Sequence, residues 1–161
     1  METLLPAAER VGAKLKQRSE TIAIAESSGG GLIAASLLAV PGASAYFLGG
    51  AVVYTLQARS GLVGISEEQM SGLRSSSEPY AQLLARSARE KVGATWGLAE
   101  TGAAGPTGNR YGDPAGHTCI AVAGPSETVL TFRTGDSDRV ANMRAFALKT
   151  LETMEKILSE G

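Results

Sequence analysis

The run Thr21-Ile22-Ala23-Ile24-Ala25-Glu26-Ser27-Ser28-Gly29-Gly30-Gly31-Leu32 constrains the fold of this chain more than any other stretch. Five small or β-branched positions read as a short buried strand; two hydroxyls and three glycines follow, and an apolar helical segment begins at Leu32. A strand that turns into a helix through Ser-Ser-Gly-Gly-Gly places hydroxyls and bare N–H groups at a helix N-terminus. There the unpaired donors and the helix dipole favour a phosphate, a carboxylate or a developing oxyanion. The glycines also let a ligand approach the backbone closely. The run has neither the Gly-Lys-Ser/Thr ending of a P-loop nor the spacing of a dinucleotide fingerprint. A plain strand-to-helix turn capped by Ser27 or Ser28 accounts for it equally well.

Leu4, Leu5, Ala8, Val11 and Leu15 share one helical face, so residues 3–18 read as an amphipathic helix. Residues 32–40 are apolar nearly all round, which predicts a helix buried on most sides and stopped by Pro41-Gly42. Residues 46–54 read as a second strand containing the pair Gly49-Gly50; Thr55 caps a short helix through Leu62, and Ser66-Glu67-Glu68 opens another helical turn. Ser75-Ser76-Ser77 supplies the cap of a longer helix with Pro79 in its first turn, Leu83, Leu84, Ala88 and Val92 inside, and Gly93 at its end. Residues 94–99 predict a third strand, opening into a long Gly/Pro-rich loop over 100–114. Residues 117–123 and 129–133 form a hairpin, and a last helix covers 138–158 with Val140, Met143, Ala147, Leu151, Met154 and Ile157 or Leu158 inside.

This order predicts an α/β fold, a three-layer α/β/α sandwich on a mixed, mostly parallel sheet of about five strands, with residues 1–161 as a single domain. Ligands of such sheets sit beyond the carboxyl ends of the parallel strands. The strand ends at Ser27, Tyr54 and Thr101 are therefore expected to meet on one edge. With 15 Lys+Arg against 16 Asp+Glu, nothing favours nucleic acid or an anionic membrane as partner. The single cysteine, Cys119, excludes an intrachain disulfide framework and a multi-cysteine zinc site; it reads as a small buried apolar residue. That count, with no long apolar run and no signal pattern, leads to the expectation of a cytoplasmic protein.

The loops of this chain resemble, in order, those of the C-terminal domain of the competence- and damage-inducible protein CinA, a family that includes stand-alone nicotinamide mononucleotide deamidases. The segments that carry the resemblance are Ala25 to Leu32, the turn Val40-Pro41-Gly42-Ala43-Ser44, the stretch Tyr54 to Ile65, Thr101 to Pro106, and the strand entry Pro114-Ala115-Gly116-His117-Thr118. The likeness runs from about Glu9 to Leu158 and points to a stand-alone, divergent member. It implies hydrolysis of the carboxamide of nicotinamide mononucleotide to nicotinate mononucleotide and ammonia, with no cofactor and no metal. The family's catalytic serine and tyrosine fall on Ser27 and Tyr54, and its lysine falls on Arg59. Ser28, Gly29, Leu56 and Gln57 also depart from the family pattern.

An amidase needs an activated nucleophile, donors for the oxyanion and an acid for the leaving amine. Ser27 is the candidate nucleophile, Tyr54 the acid/base and Arg59 its electrostatic partner, because a guanidinium stays protonated and cannot itself act as base. The expected substrate-binding set is Ser28, Gly29, Gly30, Gly31, Thr101, Gly102, Gly105 and Arg139, with the N–H groups of Gly29 to Gly31 as oxyanion donors. Arg110 and Tyr111 either clamp a phosphate or ribose or belong to a mobile surface loop; Arg139 and Arg144, near the last helix's start, resemble a Gly-Asp-Arg-x-x-Val-Arg pattern with an insertion in Gly135-Asp136-Ser137-Asp138-Arg139, or are solvated helix charge. His117, the only histidine, is the sole candidate for a serine–histidine–carboxylate triad, with Asp113 or Asp136 as orienter, but a lone strand histidine is more often structural and the family pattern has none there. The partner expected is a small-molecule nucleotide, with the chain as a homo-oligomer and Tyr46 and Phe47 in the core or at a subunit interface. The competing reading is a nucleotide-binding or regulatory module that keeps the pocket and has lost turnover.

Overall fold

The computed structural model describes all 161 residues. Helix α1 (Leu5–Arg18) leads through Ser19, in the left-handed region at φ 54°, into β1 (Ile22–Glu26). The glycine turn follows, then α2 (Leu32–Leu38), a 3₁₀ turn at Ala43–Ala45 and β2 (Phe47–Val52). Helices α3 (Leu56–Val63) and α4 (Glu78–Val92) carry the chain back to β3 (Trp96–Ala103). The hairpin β4 (His117–Ala123) and β5 (Thr128–Arg133) precedes the closing helix α5 (Arg139–Glu160).

The five strands form one sheet in the order β2-β1-β3-β4-β5. β1 pairs in parallel with both β2 and β3, whereas the β3–β4 and β4–β5 pairings are antiparallel. Thus β4 alone runs against the other four, and the expected α/β/α sandwich on a mixed sheet is what the chain builds. From β1 the chain goes out to β2 on one side and returns to β3 on the other. The carboxyl ends of β1 and β3 therefore flank the place where strand order reverses, the position at which open α/β sheets leave a crevice.

The two faces of the sheet are packed differently because the strands alternate large and small residues. Ile22, Ile24, Trp96, Leu98 and Val122 face α1, α2 and α5 and form one buried cluster with Leu15, Leu37 and Leu151. Ala23, Ala25, Ala99, Ala121 and Ala123 face the other way, beneath Tyr80, Leu84 and Ala88 of α4. Small residues let α4 lie close: a β-carbon on Gly97 would overlap the carbonyl oxygen of Ala85. Tyr46 is fully buried and donates to the carbonyl of Leu37 at 2.6 Å, which places it in the core.

Several boundaries differ from the sequence expectation. Ser66 and Gln69 cap one another reciprocally, but the turn stops without becoming a helix; Gly72 sits at φ 77° just beyond it. β3 continues to Ala103, four residues past its expected end, because β4 pairs with it as far as His117↔Ala103. Val92 and Val140, expected on inner faces, are exposed at 47% and 57%, since each lies at a helix end where the supporting layer has run out.

Candidate active site

Two glutamates that the strand pattern hides lie under the nucleophile turn. Glu26 ends β1 and Glu100 is its register partner on β3; both are fully buried. Glu100 accepts the N–H groups of Ser27 at 3.2 Å and Gly29 at 2.7 Å, the hydroxyl of Thr118 at 2.8 Å and the hydroxyl of Ser28. Glu26 accepts the N–H groups of Ile33 at 3.2 Å and Ala34 at 3.0 Å, in the first turn of α2. Gly29 is required because a β-carbon there would fall 2.7 Å from Glu26 Oε1 and 3.2 Å from Glu100 Oε2.

This arrangement corrects one expectation. Gly29 and Gly30 do not present free oxyanion donors: the N–H of Gly29 is held by Glu100 and that of Gly30 by the carbonyl of Ser27, and none of the three glycines lines the hollows that Ser27 and Ser28 line. With seven residues, α2 is also too short to offer an anion site of its own once Glu26 takes its first donors. Ser28 likewise spends its hydroxyl on Glu100.

Four donors converge on Glu100, whereas Glu26 is held by backbone N–H groups alone. Burial pushes Glu26 from the ordinary value of 4.5 up to about 7; the N–H groups of Ala34 and Ile33 oppose the rise and the Glu100 charge adds to it. The fold therefore binds protonated Glu26 more tightly than the unfolded chain does. The resulting stabilisation is fully present below pH 4.5 and is lost as pH rises through about 7. At about 1.4 kcal/mol per unit it amounts to roughly 3 kcal/mol. Urea unfolding of wild type and Glu26→Gln, compared below pH ~5 and above pH ~8, is expected to show the wild-type advantage shrinking by that order; a pH-independent difference would remove this account.

Above the turn, three chain segments converge. Ser27, Tyr54 and Arg59 line one hollow of about 440 Å³, together with Thr101 and Gly102 from the end of β3. A second hollow of about 240 Å³, lined by Ser28, Gly105 and Arg139, adjoins it and shares Tyr54, Gly102 and Asn109. Arg59, Arg110 and Arg139 face these hollows and no carboxylate does, so the site as a whole favours an anionic ligand. The Ser27 side chain is half-buried and its hydroxyl has no hydrogen-bond partner within the chain.

Arg59 makes no hydrogen bond with Tyr54. Its Nε donates to the hydroxyl of Tyr80 at 3.1 Å, its Nη2 donates to Ser75 at 2.8 Å, and the guanidinium lies 4.7 Å from the Tyr80 ring centre. The cation that meets Tyr54 is Arg139, at the start of α5, whose Nη2 donates to the phenol oxygen at 3.2 Å and whose Nη1 donates to the carbonyl of Gly105 at 2.6 Å. Arg139, not the exposed Arg144, therefore reaches the site. Thr101 is buried and its hydroxyl accepts the N–H of Ser76 at 3.2 Å.

His117 is excluded from a triad with Ser27. Its Nε2 donates to the carbonyl of Ser76 at 2.8 Å and its Nδ1 accepts from Arg133 at 3.1 Å, so both ring nitrogens are committed to structure. Nearby, Asp113 accepts from Arg74 at 2.7 and 3.3 Å and from Asn109 at 2.9 Å. Burial raises the Asp113 carboxyl, but the bonds from Arg74 and Asn109 outweigh it and hold the group below the ordinary carboxylate range. The Asn109 side chain also accepts the N–H groups of Tyr111 and Asp113, and Asn142 of α5 donates to the carbonyl of Ala104 at 2.7 Å. The loop over 104–116 is thus tied at several points, and it carries Arg110 and Tyr111 into the wall of the first hollow.

Comparison with known proteins agrees with this architecture. A family model described as CinA C-terminal domain matches residues 5–158. A CinA-like protein of Anaeromyxobacter dehalogenans is 44% identical over 138 residues, covering 84% of this chain and 34% of that protein. One from Desulfosudis oleivorans is 40% identical over 153 residues, covering 92% and 36%. The chain thus spans about a third of the length of these relatives. Among solved structures, a competence-damaged protein (CinA) superfamily protein from Klebsiella pneumoniae superposes with a TM-score of 0.91 at 24% identity, covering 98% of this chain and 99% of that one. The competence/damage inducible protein CihA from Agrobacterium tumefaciens gives 0.88 at 28% identity, covering 97% and 95%. This chain belongs to the CinA C-terminal domain family.

Proposed function

We propose that this protein is an amidohydrolase of pyridine nucleotides that converts nicotinamide mononucleotide to nicotinate mononucleotide and ammonia, with Ser27 as nucleophile. The observation that carries this reading is the convergence of Ser27, Tyr54 and Arg59 on one hollow whose charged lining is entirely cationic. The ligand's phosphate is met by arginine, whose planar donors suit phosphate oxygens. Ser27 Oγ attacks the carboxamide carbon, and ammonia leaves to give an ester that water then hydrolyses. Tyr54, oriented by Arg139, donates to the carbonyl oxygen as charge develops on it, a role the committed backbone N–H groups of the turn cannot fill.

A second reading has its own support: Arg59 is engaged with Tyr80 and Ser75 and, as a guanidinium, cannot take a proton. A pocket that binds nucleotide without turning it over would look the same. Ammonia release from nicotinamide mononucleotide decides between the two. Wild type is expected to release ammonia, and Ser27→Ala to lose at least ~10³-fold in kcat while still binding the nucleotide by calorimetry. Saturable binding with no ammonia from wild type would leave the non-catalytic module.

A further inference from the structure

If Ser27 is the attacking group, something must take its proton, and Arg59 cannot. Tyr111 lines the same hollow as Ser27 and is built into it by groups from four elements. Arg110, its neighbour in the loop, donates to the phenol oxygen at 3.0 Å and places its guanidinium 5.0 Å from the ring centre. Arg74, from the turn before α4, lies 5.1 Å from the same ring centre, so the ring meets two guanidinium groups. Ser75, beside Arg74, accepts from Arg59 of α3 at 2.8 Å and lines the same hollow as the phenol. Tyr80 of α4, on which Arg59 also rests, is the remaining titratable neighbour. The backbone is pinned by the side chain of Asn109, whose Oδ1 accepts the N–H of Tyr111 at 3.0 Å. No carboxylate contacts the phenol, because Asp113 is turned to Arg74 and Asn109.

We infer that Tyr111 is the general base of this site: it takes the proton of Ser27 and returns it to the leaving group. The inference rests on the reading of Ser27 as nucleophile. Arg59 then acts through its charge as a positioning residue, where the family pattern has a lysine. The hydrogen bond from Arg110, with its charge and that of Arg59, holds the phenol below the ordinary tyrosine range, which is the direction a phenolic base needs. The step balances: as Ser27 Oγ bonds to the carbonyl carbon, its proton passes to the Tyr111 phenolate, and the phenol passes it to the departing amide nitrogen. In hydrolysis of the ester the phenolate takes a proton from water and delivers it to Ser27 Oγ as the C–O bond breaks.

The test uses two readouts. In the first, a serine-directed fluorophosphonate replaces the substrate, and its rate of labelling at Ser27 is followed against pH in wild type, Tyr111→Phe, Tyr54→Phe and Arg110→Met. Phenylalanine keeps the ring between the two arginines, and near-ultraviolet phenolate absorbance supplies the second readout. Wild type is expected to show one phenol titrating below the others, absent in Tyr111→Phe, with the labelling rate rising along that same titration. Tyr111→Phe should label at least ~10²-fold more slowly with that limb gone, and Arg110→Met should move the limb to higher pH. Labelling by Tyr111→Phe that matches wild type across pH, or a limb that disappears only in Tyr54→Phe, overturns the inference. Labelling that depends on Tyr111 in a protein that releases no ammonia from nicotinamide mononucleotide would retain the base and reject the substrate, so the two failures are told apart.

Discussion

Glu100→Ala should cost more stability than any other single truncation in the site. The substitution leaves the N–H groups of Ser27 and Gly29 and the hydroxyls of Ser28 and Thr118 without their acceptor, in a place with no solvent exposure. At about 1–3 kcal/mol for each buried donor left unsatisfied, and with some rescue by entering water, the expected loss is on the order of 4 kcal/mol. The urea midpoint should fall with an unchanged slope, and Glu100→Gln, which keeps the volume and one acceptor, should recover part of it. A loss below about 1 kcal/mol would mean that the turn holds itself without the carboxylate.

Gly97→Ala is the second large effect, and it lies away from the chemistry. The new methyl would overlap the backbone carbonyl of Ala85 and come 2.9 Å from Arg89 Cβ, so α4 has to lift off the sheet instead of a side chain turning aside. Overpacking of this kind costs about 3 kcal/mol or more. Gly49→Ala on the edge strand is the control: nothing lies within 4 Å of its β-carbon, and a change within about 0.5 kcal/mol is expected. Equal effects at the two positions would show that the closeness of α4 is not what limits residue 97.

The layers were legible because burial writes itself into periodicity. The small and β-branched run Ile22-Ala23-Ile24-Ala25 marked a buried strand, and the helical spacing of Leu151, Met154 and Leu158 marked a helix and its inner face, before any coordinates; that the strand alternates its faces came from the packing. Thr55 and Ser77 as helix caps and Gly93 as a stop were equally readable, since each has a local mechanism. The meeting of Ser27, Tyr54 and Thr101 also followed from topology. What periodicity cannot carry is pairing between distant side chains. Glu26 and Glu100 each sit at the fifth position of a buried strand, a visible anomaly whose partner only the register of β1 against β3 reveals. That Tyr54 meets Arg139 and not Arg59 is likewise a fact of how α5 ends, across 85 residues of chain. Whether Arg110 and Tyr111 face the pocket or solvent stayed open for the same reason: the tie between Asn109 and Asp113 that stiffens their loop has no sequence period.

The bond between Arg74 and Asp113 has a consequence for traffic. It joins the turn carrying Ser75 and Ser76 to the loop carrying Asn109 and Tyr111, and both line the first hollow, so that rim is stapled shut. Elsewhere in the lining Tyr54 and Leu56 are exposed at 63% and 67%, and one hydrogen bond from Arg139 is the only polar tie on the phenol. Exposure and charge coincide there, so Tyr54 and the guanidinium of Arg139 are among the first groups a molecule arriving from solvent meets.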